Sequence, residues 1–117
     1  MGLTFGPDGY IYLNSNWSDK VFKVHPTTGA STTFVAAGSG GLDGPKNGID
    51  FGPDGNLYVV STITDSIIRY DGTTGAFIDI FMDNAGGQIN GPWDFEFRPD
   101  GYLYAVSYTH LTLPTKA

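Results

Sequence analysis

The stretch "FGPDG" at residues 51–55 decides how the rest of the chain is interpreted, because it recurs. The same five residues stand at 5–9, and "FRPDG" stands at 97–101, so the offsets are 51 − 5 = 46 and 97 − 51 = 46. Pro53 presets the backbone of the second turn position, Asp suits the third, and Gly55 can adopt a positive φ. Each copy therefore predicts a tight turn between two strands.

The similarity between units continues beyond the turn. Residues 2–15, "GLTFGPDGYIYLNS", align with residues 48–61, "GIDFGPDGNLYVVS". Residues 18–30, "SDKVFKVHPTTGA", align with residues 64–76, "TDSIIRYDGTTGA". The second unit alternates β-branched and aromatic residues with turn residues, and this pattern predicts four strands per unit. In that unit they fall at residues 48–51, 56–61, 66–70 and 76–81.

A period in the forties is typical of propeller blades or of helical HEAT-type repeats. No apolar stripe of helical period survives the Gly-Pro-Asp-Gly turns, which excludes the helical alternative. We therefore predict an all-β chain of β-propeller blades, each with four antiparallel strands. The expected divisions are blade 1 at 1–46, blade 2 at 47–93, the first two strands of blade 3 at 94–107, and a non-repeat tail at 108–117. Since a closed ring needs about four to eight blades, we expect an incomplete ring.

Composition excludes several classes of function. The net charge is −6, but 11 of the 12 acidic residues are Asp, a turn residue. The six basic residues are scattered and form no patch, which argues against nucleic acid as a partner. The chain has no cysteine and therefore no thiolate metal site or disulfide. No apolar run approaches the length of a membrane span, about 20 residues.

The segment "FGPDGNLYVVSTITDSIIRYDGTTGAF", residues 51–77, resembles an NHL-type β-propeller repeat. It is similar to the blades of the propeller superfamily that includes streptogramin lyase-like and regucalcin-like proteins, and the resemblance extends over residues 2–107. It implies that the first strand of each blade is innermost and that ligands bind at the mouth of the central channel. It also favours a secreted or cell-surface bacterial protein. With two blades and part of a third, the chain is expected to be a fragment of a longer array.

One repeat position, directly before the recurring Phe, holds Thr4, Asp50 and Glu96. On innermost strands these residues would be neighbours around the channel. Carboxylates there could share calcium, which prefers oxygen ligands, and the resemblance implies a divalent metal at the channel mouth of regucalcin-like propellers. The alternative is a solvated channel wall with separated carboxylates. No other cofactor is predicted.

A second candidate site combines aromatic and polar residues. Asn47, Trp93 and Asp94 stand at the entrance to the first strand, and Trp17 lies in the loop after the second strand. Exposed aromatic rings beside Asn and Asp could form a rim that binds a sugar or a peptide. The alternative for Trp93 is a structural plug between neighbouring blades.

Two aspartates and two histidines complete the set of candidate residues. Asp19 and Asp65 are equivalent and precede the third strand, where each is expected to cap the turn by accepting backbone N–H groups. His25 aligns with Asp71 and is expected to be a turn residue, and His110 lies outside the repeat. Neither histidine has a partner that would complete a base and nucleophile pair. The paired histidines that the resemblance implies for a lyase therefore have no counterpart here.

Three functions remain open. The first is a structural or binding propeller that presents blade-end loops to a protein, peptide or glycan. The second is part of a metal-dependent propeller enzyme, lyase-like or lactonase-like, and the third is a sensor domain of a larger protein. In each case the outer faces of the first and last blades lack a partner blade, which predicts self-association through exposed blade faces. Pro114 would interrupt a third strand in the tail, so residues 108–117 are expected not to belong to the native fold.

Overall fold

The structure is a computed structural model that describes residues 2–83, 91–107 and 115–116. Its strands form three antiparallel sheets, each ordered as in the chain. Sheet 1 contains β1 (Leu3–Phe5), β2 (Ile11–Ser15), β3 (Lys20–Val24) and β4 (Ser31–Val35). Sheet 2 contains β5 (Ile49–Phe51), β6 (Leu57–Ser61), β7 (Ser66–Tyr70) and β8 (Phe77–Met82). Sheet 3 contains β9 (Pro92–Phe97), β10 (Tyr102–Ser107) and β11 (Thr115–Lys116).

The predicted fold class is confirmed. In sheet 2 the third strand spans the predicted residues 66–70, and the other three strands differ from the prediction by a single residue at one or both ends. A short 3₁₀ turn, Ser39–Gly41, follows sheet 1. No helix in the described ranges has the length and apolar character needed to cross a bilayer. β9 begins at Pro92, two residues before the boundary expected at 94, because its bulged pairing reaches Ser107.

The recurring aspartate binds a tyrosine as well as the turn. Asp54 Oδ1 accepts the Asn56 backbone N–H (3.1 Å), and Asp54 Oδ2 accepts the Tyr58 hydroxyl (2.8 Å). The equivalent hydroxyl bonds join Tyr12 to Asp8 at 2.8 Å and Tyr104 to Asp100 at 2.9 Å. This bond explains why Asp and Tyr stand four residues apart in every unit.

A cation completes this cluster in the first two sheets. Lys23 Nζ lies 3.1 Å from Asp8, and Arg69 Nη1 lies 3.2 Å from Asp54. Arg69 also donates from Nε to Asp79 Oδ1 (3.0 Å). Burial raises the pKa of the Asp54 carboxyl, but hydrogen bonds from the Asn56 backbone, Tyr58 and Arg69 outweigh it, and the pKa lies below its ordinary value of 3.8.

Neighbouring sheets pack face to face through the tyrosine that bonds the recurring aspartate in each sheet. The Tyr12 ring meets the Phe51 ring edge-on at 4.8 Å, and the Tyr58 ring meets the Phe97 ring at 4.9 Å. Two buried clusters surround these pairs, one between sheets 1 and 2 and one between sheets 2 and 3. Aromatic pairs in this arrangement contribute about 0.5–1.5 kcal/mol beyond the area that they bury. One side of each sheet therefore packs on the opposite side of the next sheet.

The tail lies mostly outside the described residues, which include only Thr115 and Lys116 of it. These two form β11, in which Thr115 pairs with Leu103. In sheet 2 the equivalent pair is Leu57 with Tyr70, so β11 occupies the position of a third strand. The expectation that residues 108–117 do not belong to the native fold stays a prediction.

Candidate functional site

The first strands of successive sheets lie beside one another. Thr4 Oγ1 on β1 donates to Asp50 Oδ1 on β5 at 3.0 Å, so these two predicted neighbours are in direct contact. The same Asp50 oxygen accepts the Phe51 backbone N–H at 2.8 Å. Glu96, at the equivalent position of β9, has an exposed side chain. One oxygen of Asp50 is thus used by two protein donors.

The metal prediction depends on how many ligands converge at these strands. Across residues 2–83, 91–107 and 115–116, no group of three or more His, Cys, Asp or Glu side chains could hold a metal ion. A calcium ion usually takes about six to eight oxygen ligands. The two carboxylates of Asp50 and Glu96 would therefore need ligands from elsewhere, and their sharing of calcium stays a prediction.

The three residues expected at the strand entrance do lie together. The backbone N–H groups of Asn47 and Gly48 both donate to the Trp93 carbonyl oxygen, each at 3.2 Å. Lys46 Nζ lies 5.6 Å from the centroid of the Trp93 ring. The Trp93 side chain is half-buried, whereas Asn47 and Asp94 are exposed. The Trp93 residue is thus partly covered, with the Lys46 ammonium near its ring, and both predicted roles stay predictions.

Trp17 lies on the turn between β2 and β3. It is 93% exposed, more than its counterpart Ile63, which is 65% exposed. The Ile63 N–H donates to the Asp43 carbonyl at 3.2 Å. The turn between the second and third strands of a sheet therefore lies against the crossover, the segment that links one sheet to the next. Trp17 therefore stands on the same edge of the sheets as Asn47 and Trp93. We call this edge, with Trp17, Asn47, Trp93 and Asp94, the crossover edge.

The crossover edge is held by two aspartates. Asp19 Oδ1 accepts the Gly44 backbone N–H at 2.9 Å, and Asp65 Oδ1 accepts the Gly91 N–H at 2.7 Å. These aspartates have φ values of 52° and 51° and are the only residues other than glycine with positive φ in the described parts of the chain. Carboxylates were expected to accept backbone N–H groups, and they do. Their partners, however, lie in the crossover to the next sheet instead of the aspartate's own turn.

His25 is a turn residue, as predicted. Its Nδ1 accepts the backbone N–H groups of Thr27 (3.2 Å) and Thr28 (3.1 Å). Asp71 makes the same two bonds in the next unit, at 2.8 and 2.9 Å. Two local donors therefore already use this imidazole nitrogen. His110 lies outside the described residues.

A cavity on the open face of sheet 3 brings two of the predicted residues, Asp94 and Glu96, together with four residues that the sequence did not point to. It has a volume of about 400 Å³, and it is lined by Asp94, Phe95, Glu96, Arg98, Tyr104 and Val106. The Arg98 guanidinium carbon lies 6.0 Å from the centroid of the Tyr104 ring. The signal for this site was present in the repeat, because "FRPDG" places Arg where the other units have Gly.

No protein-family model matches the chain, and no curated protein sequence matches it either. Solved structures do match. A catalytically inactive virginiamycin B lyase from Staphylococcus aureus, solved with quinupristin, is 17% identical with a TM-score of 0.70, over 99% of this chain and 40% of that one. A streptogramin B lyase is 17% identical with a TM-score of 0.68, over 98% of this chain and 39% of that one.

A third solved structure is a candidate 6-phosphogluconolactonase from Bacteroides uniformis. It is 26% identical with a TM-score of 0.65, over 90% of this chain and 32% of that one. The chain thus spans at most 40% of the length of these proteins. Likeness at this level of identity concerns the fold. Together with the three antiparallel sheets, it shows that the chain forms consecutive blades of a β-propeller.

Proposed function

We propose that this chain belongs to a binding propeller whose crossover edge is presented to a protein, peptide or glycan. The observation that carries the proposal is Trp17, a large aromatic side chain that is 93% exposed. Tryptophan combines a wide apolar surface with an N–H donor, and it is enriched among residues that dominate binding energy. Asn47 on this edge is also exposed, and Asp94, exposed too, lines the cavity on the open face of sheet 3.

The edge is preorganised by backbone contacts. Asp19 ties the turn that carries Trp17 to Gly44 in the crossover. Three residues later, the Asn47 N–H is bonded to the Trp93 carbonyl. Ordering loops on binding costs affinity, so an edge that is already ordered loses less of its interaction energy. Exposed amide and carboxylate groups such as those of Asn47 and Asp94 also suit ligands with hydroxyl or peptide groups.

The proposal is tested by a screen of oligosaccharides and peptides against the 117-residue chain, followed by measurements on variants. Trp17 and Trp93 are the only tryptophans, so intrinsic fluorescence reports on this edge directly. We expect Trp17→Ala to weaken binding of a hit by about tenfold or more, or roughly 1.4 kcal/mol. Ile63→Ala, the matched control one blade on, should bind within about twofold of wild type. Equal binding by both variants would refute the role of Trp17.

A metal-dependent enzyme is the second candidate, because two of the similar structures are lyases and a third is a candidate lactonase. Asp50 and Glu96, on neighbouring first strands, would hold the ion in this case. A metal that binds only the folded state raises the melting temperature. We expect calcium to cause no shift, in contrast to the enzyme reading. A calcium-dependent rise that is lost in Asp50→Asn but kept in the control Asp43→Asn would favour the enzyme.

A sensor domain of a larger protein is the third reading. It would use the same crossover edge, and the gene sequence that flanks this chain distinguishes it from the other two.

A further inference from the structure

His25 does in sheet 1 what a carboxylate does in sheet 2. Its Nδ1 accepts the backbone N–H groups of Thr27 and Thr28, the second and third residues after it. Asp71 stands at the same repeat position (71 − 25 = 46), and its Oδ1 accepts the two equivalent N–H groups of its own turn. Each turn joins the third strand of its sheet to the fourth. The two hairpins therefore share a geometry but depend on acceptors of different chemistry.

The two acceptors respond differently to pH. An imidazole nitrogen that accepts N–H groups carries no proton, so the proton of the neutral His25 ring is on Nε2. A protonated imidazole donates from both nitrogens and accepts nothing, and histidine side chains ordinarily take up this proton between about pH 5 and 8. Hydrogen bonds from the backbone N–H groups of Thr74 and Thr73 hold the pKa of Asp71 below its ordinary value of 3.8. Asp71 therefore remains an acceptor throughout this range.

The charged groups beside His25 keep their charges over the same range. The His25 ring meets the Tyr10 ring edge-on at 5.3 Å, and Lys23 Nζ lies 4.5 Å from the centroid of the Tyr10 ring. A hydrogen bond to Asp8 raises the pKa of Lys23 above 10.5. Burial raises the pKa of Asp8, but hydrogen bonds from Tyr12 and from the Tyr10 backbone outweigh it, and the pKa lies below 3.8. The core cluster that Tyr10 packs against, between sheets 1 and 2, consists of apolar and tyrosine side chains. Lys23 and Asp8 therefore do not change charge between about pH 5 and 8.

The hairpin that His25 closes ends in the edge strand β4. The first three residues of this strand, 31–33, are exposed, whereas Phe34 packs against the core and Val35 is fully buried. The corresponding turn of sheet 2 lies against the second half of β4, because a Cβ added to Gly75 would meet the Phe34 carbonyl oxygen. Loosening of the His25 turn would therefore free the first half of β4 and leave its second half in the core.

We propose that His25 makes the β3–β4 hairpin of sheet 1 a pH-sensitive element, closed while the imidazole is neutral and loosened when it is protonated. Protonation removes the acceptor of two backbone N–H groups. The stabilisation that these bonds provide is present above the range in which histidine titrates, and it is lost as the pH falls through that range. The equivalent hairpin of sheet 2 stays closed, because Asp71 keeps its charge.

The response is local and separate from the proposed binding function. Two backbone bonds also close the turn, from the His25 N–H to the Ala30 carbonyl (2.9 Å) and from the Gly29 N–H to the His25 carbonyl (3.0 Å). These bonds do not depend on the imidazole, so we expect the hairpin to loosen and not to unfold. The turn lies at the end of β3 opposite to the crossover edge.

The test exchanges the two acceptors in the 117-residue chain. His25→Asp gives the turn of sheet 1 the acceptor of sheet 2, and Asp71→His does the reverse. Amide hydrogen exchange by nuclear magnetic resonance, corrected for the intrinsic rate at each pH, gives the protection of the turn N–H groups at about pH 5 and about pH 7.5. In wild type the protection of Thr27 and Thr28 should fall by about tenfold at the lower pH. The two N–H groups of the sheet 2 turn should change by less than about twofold.

The variants should exchange this behaviour. His25→Asp should keep the sheet 1 turn protected at about pH 5, and Asp71→His should lose the protection of the sheet 2 turn there. At this pH His25→Asp should also melt a few degrees above wild type, and the difference should shrink at about pH 7.5. His110 is present in every variant, so a difference between variants reports on the exchanged acceptor.

Several outcomes would overturn the proposal. Ring ¹⁵N shifts that put the proton of the neutral imidazole on Nδ1 would show that this nitrogen does not accept. Unchanged protection of Thr27 and Thr28 in wild type would show that the turn does not depend on the charge of His25. A pH dependence that is the same in wild type and His25→Asp would place the response elsewhere. A folded Asp71→His variant whose turn stays protected at the lower pH would also refute it, and if this variant does not fold, wild type and His25→Asp decide the question.

Discussion

Replacing Asp19 separates the two physical roles of this residue, which accepts a hydrogen bond and adopts a left-handed backbone. Its φ is 52°, and its Oδ1 lies 2.9 Å from the nitrogen of the buried Gly44. Asp19→Ala removes the acceptor, at about 1.5–3 kcal/mol for a hydrogen bond to a charged group. It also puts alanine into the left-handed backbone region, which alanine tolerates poorly, at a further cost of about 1 kcal/mol. The expected loss is therefore about 2.5–4 kcal/mol.

Two other substitutions separate the cost of the lost hydrogen bond from the cost of the backbone strain. Asp19→Gly loses the same hydrogen bond but relieves the backbone, so it should be about 1 kcal/mol more stable than Asp19→Ala. Asp19→Asn keeps an oxygen acceptor and tolerates positive φ, so it should lose only about 1 kcal/mol. The expected order of stability is wild type, Asn, Gly, Ala.

Urea denaturation followed by circular dichroism gives the free energy of unfolding for each variant. Asp65 accepts the Gly91 N–H in the same way at 2.7 Å, so its three variants should repeat the order. An alanine variant as stable as wild type, or more stable than the glycine variant, would refute the reasoning.

Three further predictions follow from the blade structure. In the folded state the pKa of Asp54 lies below 3.8, its value in the unfolded chain. The ionised carboxylate therefore stabilises the fold above pH 3.8, and this stabilisation is lost as the pH falls through the pKa of the folded state. The melting temperature should fall on acidification, and it should fall less steeply in Asp54→Asn. A Cβ added to Gly48 would lie 2.8 Å from Phe95 Cδ1, so Gly48→Ala should destabilise the fold by about 1–3 kcal/mol, and an unchanged melting temperature would contradict this close packing. Deletion of residues 108–117 should shift the melting temperature by less than a few degrees, roughly 1 kcal/mol; a larger fall would show that the tail belongs to the fold.

The strands were predictable from the repeat because their determinants are local. Turn residues and alternating β-branched residues recur at a constant offset, so each unit supported the interpretation of the others. The third strand of sheet 2 was correct at both ends, Ser66 and Tyr70. The acceptor role of Asp19 was also predictable, since short carboxylates commonly bond backbone N–H groups.

The partner of that carboxylate was not predictable, because Gly44 is 25 residues away and is brought close only by sheet packing. The same limit applies to Tyr58, whose bond to Asp54 joins a turn to a strand and whose ring contact to Phe97 joins two sheets. The charged cavity of sheet 3 was visible only as a departure of Asp94 and Arg98 from the glycine pattern. The sequence could not predict that these two residues line one cavity, because that depends on which face of the sheet they occupy.

The packing of successive blades through tyrosine and phenylalanine rings underlies the crossover edge and the proposed function. Nuclear Overhauser contacts between ring protons test this packing directly, in a sample with selectively labelled Tyr and Phe. We expect contacts from Tyr12 to Phe51 and from Tyr58 to Phe97, whose ring centroids lie 4.8 and 4.9 Å apart. A folded β-sheet sample in which neither contact appears would contradict this packing of the blades.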